Sequence, residues 1–269
     1  MKYRIFLFLA AAVLLVTNVK SQTVTLKPIG KSNTYISLNT YFTVHFGGAL
    51  YTIDRSGAIN KMDLTTGDYT PVGKSTFAKA RHFFAVSNKL YIIESDGGMV
   101  QVDPVTGNWT SISPMNYWNE INSVITVGSI LFMIENGVLY RYAGFNKATR
   151  KAVGEAEFYS PGIMFADNTA MKMYSVTDDR SFYDINISTG KWTRIGDKKA
   201  WKGAWGGAVL NGKFYSVENP GLFFEASITD GVKKQLDNTQ FTKTRFLFAE
   251  AGKLYTITSE GSLDEIIIN

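Results

Sequence analysis

Few side chains in this sequence have the chemistry of a catalyst, and His82 is the first to consider. The 269 residues include two histidines, His45 and His82, and no cysteine. His82 with an acidic partner such as Glu94 or Glu135 could act as the general base of a lyase or hydrolase. Because a lone histidine is more often a packed or solvated residue, the sequence favours a non-catalytic role for His82 and keeps the enzyme as an alternative hypothesis.

Other catalytic and metal-binding patterns are missing from the sequence. The lack of cysteine excludes thiol catalysis and cysteine-ligated zinc. No Gly-x-Ser-x-Gly elbow, phosphate-cradling loop, dinucleotide fingerprint or Asp-x-Asp-x-Asp-Gly calcium loop occurs. We therefore predict no catalytic residue, no cofactor and no metal site. Carboxylates that recur at one position of an internal repeat are predicted to cap turns or to bond backbone amides: Asp54, Glu94, Glu135 and Glu218.

Aromatic and polar side chains recur in a pattern that suits ligand binding. Five successive units carry an aromatic residue at the same place: Phe77, Trp118, Phe158, Trp201 and Phe241. Four residues later come Arg81, Asn122, Gly162, Trp205 and Arg245, with Tyr41 in the first unit. The rings either fill gaps between units or form a basin in which Trp and Tyr stack on sugar faces while Arg and Asn bond the hydroxyls. The candidate ligand-binding residues are Tyr41, Arg81, Trp118, Asn122, Trp201, Trp205 and Arg245.

The two arginines of this set also have a structural interpretation. Antiparallel pairing across a short turn is expected to bring Arg81 opposite Asp96 and Arg245 opposite Glu260. In units that lack the arginine the acid is missing as well, which favours local ion pairs. Exposed ion pairs contribute only about 0–1 kcal/mol each. The sequence thus predicts ion pairing first and ligand contact second for both arginines.

A repeat positions these side chains. Leu-Tyr-type pairs recur at successive spacings of 40, 41, 42, 41 and 40 residues, and their second members are Tyr51, Tyr91, Phe132, Tyr174, Tyr215 and Tyr255. Short apolar strands alternate with turn signals within each unit, as in four-stranded propeller blades. We predict one all-β domain over residues 22–269, a six-bladed β-propeller of four-stranded antiparallel blades. Its inner strands are expected to begin near Phe42, His82, Ser123, Ile163, Gly206 and Phe246.

The ring is expected to close by pairing the two ends of this domain. The segment "LKPIGK" places Ile29-Gly30 in the register of Val72-Gly73, one repeat earlier, whereas the C-terminal "LYTITSEGSLDEIIIN" stops after a third strand. Residues 23–30 are therefore predicted to supply the outer strand of the last blade.

Residues 1–21 are predicted to be a signal peptide. Lys2 and Arg4 precede an apolar run from Ile5 to Val16, which is shorter than the roughly 20 residues that span a bilayer. Its removal lowers the net charge from +5 to +2, because three of the 28 basic residues leave and none of the 23 acidic ones does. Without a clustered basic stripe, nucleic acid is excluded as a partner. We expect a secreted protein, extracellular or, in a bacterium, periplasmic, and not membrane-embedded.

The motif Thr-Gly-x-Trp-Thr-x-Ile occurs twice, with Trp109 and Trp192 expected to begin outer strands and to cover the edges between blades. The first copy, within "VQVDPVTGNWTSISPM", resembles the end of a kelch repeat. "GVLYRY" and "WTRIGDKKAWKGAWGGAVLNGKFYSV" are similar to repeats of tachylectin-like and tectonin-like lectins, most sharply over residues 183–217. That resemblance implies carbohydrate binding.

The sequence therefore favours a secreted, non-enzymatic binding propeller. Its expected partner is a glycan, or otherwise an extracellular protein, and the sequence predicts no oligomeric state. Two alternatives stay open beside this hypothesis: a propeller lyase or hydrolase that uses His82 with an acidic partner, and an extracellular matrix or interaction scaffold.

Overall fold

The computed structural model describes residues 22–31, 38–237 and 240–269, and of residues 38–41 and Trp205 it describes the backbone alone. The predicted signal peptide lies outside the described residues. The strands are, in chain order, β1 (Val24–Ile29), β2 (Leu38–Phe46), β3 (Ala49–Asp54), β4 (Ala58–Asp63), β5 (Tyr69–Thr76), β6 (Ala80–Val86), β7 (Lys89–Glu94), β8 (Met99–Val102), β9 (Trp109–Ser113), β10 (Ile121–Val127), β11 (Ile130–Glu135), β12 (Val138–Tyr142), β13 (Lys151–Ala152), β14 (Ile163–Asp167), β15 (Lys172–Val176), β16 (Phe182–Ile185), β17 (Trp192–Ile195), β18 (Ala204–Leu210), β19 (Lys213–Glu218), β20 (Leu222–Ser227), β21 (Lys233–Asp237), β22 (Thr244–Glu250), β23 (Lys253–Thr258) and β24 (Leu263–Ile268).

These strands form six antiparallel blades of four strands each, which confirms the predicted propeller. Blades 1 to 5 are β2–β5, β6–β9, β10–β13, β14–β17 and β18–β21. The inner strands begin within two residues of the predicted positions in blades 2 to 6 and four residues early in blade 1. The single 3-10 turn of the described chain is Lys147–Thr149, and no helix in that part has the length and apolar character of a membrane crossing.

Blade 6 combines both ends of the described chain. Its strands β22, β23 and β24 are followed by β1, which pairs with β24 from Val24 opposite Ile268 to Ile29 opposite Leu263. Thr23 and Asn269 extend this ladder, since each backbone N–H donates to the other's carbonyl at 3.2 and 3.0 Å. The N-terminal strand thus closes the ring as the outer strand of the last blade.

The hydrophobic core lies between the blades. In the described chain the buried apolar side chains form six clusters, and each cluster draws on two neighbouring blades. One cluster, for example, joins Ile29 and Phe248 of blade 6 to Leu50 of blade 1. Because a blade buries one face against each neighbour, its middle strands are apolar on both faces. This is why they read as continuous apolar runs in the sequence.

Pairs of glycines form the contact between an outer strand and the next blade. Gly73 of β5 and Gly107 of the turn before β9 have φ values of +72° and +71°. A Cβ atom on Gly107 would lie 2.5 Å from the Cα of Gly73, and one on Gly73 would lie 2.8 Å from the Cα of Gly107. Neither position has room for a side chain. The same contact recurs at three more junctions, as Gly30 with Gly67, Gly154 with Gly190 and Gly196 with Gly231.

At the two remaining junctions of the described chain no such glycine pair forms. Ser113 and Asp237 stand where the other outer strands carry glycine. Ser113 precedes blade 3, whose last connection instead places Phe145 against Tyr91 of blade 2, with ring centroids 4.3 Å apart. Asp237 precedes blade 6, where the paired chain ends occupy the place of that turn. An outer strand therefore carries this glycine where the turn of the next blade places a second glycine against it.

Replacing one glycine of a pair is expected to force two blades apart. We predict that Gly107→Ala destabilises the protein by clearly more than Gly212→Ala, which serves as the control. Gly212 has a similar φ of +72° but open space around its Cβ position, so its replacement reports backbone strain alone, about 1–2 kcal/mol. Urea unfolding of both variants would measure the difference, and equal losses would contradict the tight contact.

A hydrogen-bonded histidine–carboxylate pair connects the inner strands of blades 6 and 1. The Nδ1 atom of His45 in β2 lies 2.8 Å from Oε2 of Glu250 at the end of β22. The backbone N–H of Gly48 donates to the other carboxylate oxygen at 3.2 Å. The hydrogen bond from His45 holds the pKa of Glu250 below its ordinary value, although partial burial opposes this shift.

This pair makes a pH-dependent contribution to stability. Because the folded pKa of Glu250 is lowered, its contribution is fully present above about pH 4.5 and is lost as the pH falls through the folded pKa. We expect Glu250→Gln to lower Tm by about 2–4 °C at pH 6 and by much less at pH 3. Glu260→Gln, which removes an exposed pair with Lys243, is the control. A Tm difference that stays constant with pH would contradict this role.

Candidate functional site

The polar positions predicted for ligand binding coincide with β-bulges. In blade 2, Ala80 pairs with Glu94 and His82 with Ile93, which leaves Arg81 without a partner in the ladder. Bulges redirect side chains and are common beside binding sites. The same one-residue shift falls on Asn122, Trp205 and Arg245, and Tyr41 lies in the stretch of β2 where pairing shifts between Leu38 and Thr43.

Arg81 holds two blades together. Its guanidinium donates to the main-chain carbonyls of Trp118 and Asn119, at 2.5 and 3.1 Å, in the connection that leads to blade 3. The predicted ion pair with Asp96 does not form in the described structure, since a carboxylate oxygen of Asp96 accepts the N–H of Gly98 instead. The register is the reason, because the ladder runs towards Glu94 at this point and Asp96 lies in the turn two residues beyond it; the bulge then takes Arg81 out of the ladder.

The other bulge positions differ in whether their side chains are available for contact with a ligand. Arg245 is exposed, and no hydrogen bond or ion pair of the described residues engages it. The predicted partner of Arg245, Glu260, pairs with Lys243. Asn122 is exposed and accepts the N–H of Asn136 at 3.2 Å. The side chains of Tyr41 and Trp205 lie outside the described residues, so ligand contact by these four stays a prediction.

The recurrent aromatic residues are packing elements between blades. Trp118 and Trp201 are 0% and 2% exposed, so their rings present no face to a ligand. Phe77, Phe158 and Phe241 are buried as well. In four of the five aromatic residues the backbone N–H donates to a carbonyl in the turn between the second and third strands of the preceding blade. The accepting carbonyls belong to Gly57, Gly97, Gly137 and Arg180. Of the two interpretations open from the sequence, this geometry supports gap filling.

Each of the two buried tryptophans covers a lysine–glutamate pair. Lys233 lies 2.5 Å from Glu218 and 4.5 Å from the ring centroid of Trp201. Lys147 lies 3.8 Å from Glu135 and 5.9 Å from the ring of Trp118. Cation–π contact and ion pairing together compensate for burying these charges. Glu135 and Glu218, at the ends of β11 and β19, are therefore structural. The predicted capping of a turn is correct for Asp54, which accepts backbone N–H groups of its turn, and wrong for Glu135 and Glu218.

Loss of the lysine is expected to leave a buried, unpaired carboxylate. We predict that Lys233→Met destabilises the protein by about 3–5 kcal/mol and that adding Glu218→Gln restores most of the loss. Lys172→Met, which breaks a more exposed pair with Asp184, is expected to cost at most about 1 kcal/mol. Urea unfolding of the three variants would test this, and a Lys233→Met protein as stable as the wild type would contradict it.

His82 bonds to the main chain. Its Nε2 atom lies 3.2 Å from the carbonyl of Ile121, so Nε2 carries the proton in the neutral ring. Burial, aided by the charge of Arg81, lowers the pKa of His82 to about 4. Among the described residues neither Glu94 nor Glu135 is a hydrogen-bond partner of the ring, and Glu135 is occupied by Tyr142, Lys147 and Arg150. The contacts do not supply the acidic partner that the enzyme hypothesis requires.

A cleft between blades 3 and 4 combines exposed aromatic rings with carboxylates. Its volume of about 520 Å³ falls in the range of small-molecule sites. The connection between the blades, the turn from β15 to β16, and the strands β16 and β17 line it. The blade 3/4 cleft is lined by Glu157, Tyr159, Ser160, Thr177, Asp178, Asp179, Tyr183 and Trp192.

The aromatic side of this cleft is preorganised. Tyr159 is 72% exposed, and its ring lies over Gly137, where a Cβ atom would approach the ring to 2.5 Å. Tyr183 packs edge-on against Trp192 at 5.5 Å, and the buried Phe158 supports Trp192 at 4.9 Å. The indole N–H of Trp192 is buried without an acceptor in the described chain.

A second cleft lies beside the other copy of the repeated motif. Its volume is about 560 Å³, and it runs between β5 of blade 1 and the turn before β9. Trp109, half exposed, stands at its edge and contacts the buried Phe77 edge-on at 6.4 Å. Both copies of the motif thus place their tryptophan at a cleft between blades, against the phenylalanine of the preceding connection.

Sequence reasoning missed Tyr159, Tyr183 and the acidic residues of the blade 3/4 cleft. A signal was present, because Tyr159 directly follows the recurrent aromatic residue, where the other units carry Ala78, Asn119, Lys202 and Thr242. A second aromatic residue at a position that otherwise varies among small and polar types indicates a local function. In the described residues no group of three or more His, Asp or Glu side chains is arranged to hold a metal ion.

Comparisons with known proteins identify the fold. No family model and no curated protein matches the chain, so the resemblance to tachylectin-like, tectonin-like and kelch repeats has no family match behind it. A structural genomics protein of unknown function from Bacteroides thetaiotaomicron has a TM-score of 0.63 at 12% identity, over 92% of this chain and 76% of that one. An auxiliary nutrient binding protein from the same organism has a TM-score of 0.59 at 12% identity, with the same coverage. Streptogramin B lyase has a TM-score of 0.54 at 9% identity, over 92% and 98% of the two chains. At such identities the likeness extends to the propeller fold alone.

Proposed function

We propose that this protein is a secreted, non-enzymatic propeller that binds carbohydrate. The observation that carries the proposal is the blade 3/4 cleft, where the exposed ring of Tyr159 stands beside Tyr183 and Trp192 with hydrogen-bonding groups around them. Saccharides present apolar ring faces and many hydroxyls, and aromatic side chains with carboxylate and hydroxyl acceptors complement both. The nutrient-binding neighbour is compatible with a binding role.

The lyase or hydrolase alternative has weaker support. Its argument is the fold of streptogramin B lyase, together with a histidine near the start of an inner strand. His82 is half-buried, neutral at pH 7 and bonded to a main-chain carbonyl. A scaffold without a small ligand is the remaining alternative, and an inert cleft would favour it.

The carbohydrate proposal predicts a loss of affinity when the exposed ring is removed. We expect Tyr159→Ala to weaken saccharide binding roughly twofold to twelvefold, as follows from about 0.5–1.5 kcal/mol for an aromatic contact. Tyr159→Phe is expected to retain most of the affinity. A glycan array of neutral, amino and acidic saccharides would find the ligand, and calorimetry would compare the variants.

Met115→Ala is the matched control. Met115 lies in the equivalent connection between blades 2 and 3 and is 70% exposed, so its loss tests whether any exposed apolar side chain would have the same effect. The proposal is wrong if no saccharide on the array binds. It is also wrong if Tyr159→Ala, like the control Met115→Ala, binds as well as the wild type.

A further inference from the structure

The blade 3/4 cleft carries an excess of negative charge. Glu157, Asp178 and Asp179 line it, and no lysine, arginine or histidine is among its lining residues. Hydrogen bonds from Thr177 and Ser181 lower the pKa of Asp179, with help from the charge of Lys198. Asp179 is therefore ionised at neutral pH, and the basic residues of this region, Arg180, Arg194 and Lys198, are not among the residues that line the cleft.

Two of these carboxylates have no partner of their own. Within residues 22–31, 38–237 and 240–269, no hydrogen bond or ion pair engages the side chains of Glu157 and Asp178. Unpaired carboxylates on the wall of a cleft are available to a cation that enters it.

The aromatic rings of the cleft favour the same kind of ligand. The faces of Tyr and Trp attract ammonium groups by about 0.5–2 kcal/mol, depending on how far the cation is desolvated. A metal ion would instead need several oxygen ligands at short range, and no such group is arranged in the described residues. The combination of aromatic faces with separate carboxylates fits an organic ammonium group.

We infer that the blade 3/4 cleft selects saccharides that carry protonated amino groups, with Glu157 and Asp178 binding the ammonium and Tyr159 stacking on the sugar ring. This inference rests on the proposed carbohydrate-binding function and names its ligand class. Saccharides with carboxylate groups are repelled by the same charges. N-acetylated saccharides fit the aromatic surface but lose the ionic contact.

Calorimetry with two matched probes tests the inference. The probes are a glucosamine tetramer with free amino groups and the corresponding N-acetylglucosamine tetramer, at about pH 5.5 and at about 20 and 500 mM NaCl. We expect the glucosamine tetramer to bind more tightly and to lose much of that advantage at high salt, where exposed charges are screened. Glu157→Gln and Asp178→Asn are each expected to weaken its binding by about fivefold and to leave the acetylated tetramer unchanged.

Glu155→Gln is the control, since Glu155 is an exposed acid of the same connection and does not line the cleft. Equal affinity for both tetramers, with no effect of the two cleft variants, overturns the ammonium inference and leaves carbohydrate binding intact. Binding of neither these tetramers nor any other saccharide on the array overturns both proposals. Binding of a simple quaternary ammonium such as choline without any saccharide also overturns both, because the ligand would then be an amine and not a sugar.

Discussion

The structure depends on one constraint, which is that a blade cannot bury its two apolar faces by itself. Each hydrophobic cluster of the described chain is shared by two neighbouring blades. An open row of six blades would expose a core surface at each end, and the ring removes both. Pairing of β1 with β24 is therefore essential, because the seam it completes carries the cluster between blades 6 and 1. The hydrogen bond of His45 with Glu250 crosses the same seam on the inner strands.

Most of the fold could be predicted from the sequence because its signals are local and repeated six times. The spacing of the Leu-Tyr pairs reports strand positions, and the extra outer-strand segment at Ile29-Gly30 reports the closure. The register near the inner strand starts was predicted two residues off, since the ladders bring Glu94 and Thr258, and not Asp96 and Glu260, towards Arg81 and Arg245. Bulges at both arginines then take them out of the ladder. A bulge depends on how the strand meets its neighbours and leaves no distinct pattern in the sequence.

The site was less predictable than the fold. Recurrence led to Trp118 and Trp201, yet positions that recur in every unit are those that packing requires, and both rings are buried. The blade 3/4 cleft lies where one unit departs from the others, at Tyr159 and at the acidic turn with Asp178 and Asp179. Its parts come from one connection, one turn and two strands, and their proximity follows from the twist of the blades and not from spacing along the chain. In this repeat protein the candidate cleft is thus marked by departures from the repeat and not by the recurrent positions.

The paired glycines have a consequence for how such a ring changes over time. A side chain at Gly73 requires the turn at Gly107 to move away. The two positions are therefore expected to change together in evolution, even though they belong to different blades. The segment that evolves as a unit is therefore offset from the blade. It begins with the outer strand of one blade and ends with the turn before the outer strand of the next blade. A gene duplication that adds a whole blade is expected to succeed when its break points respect that offset.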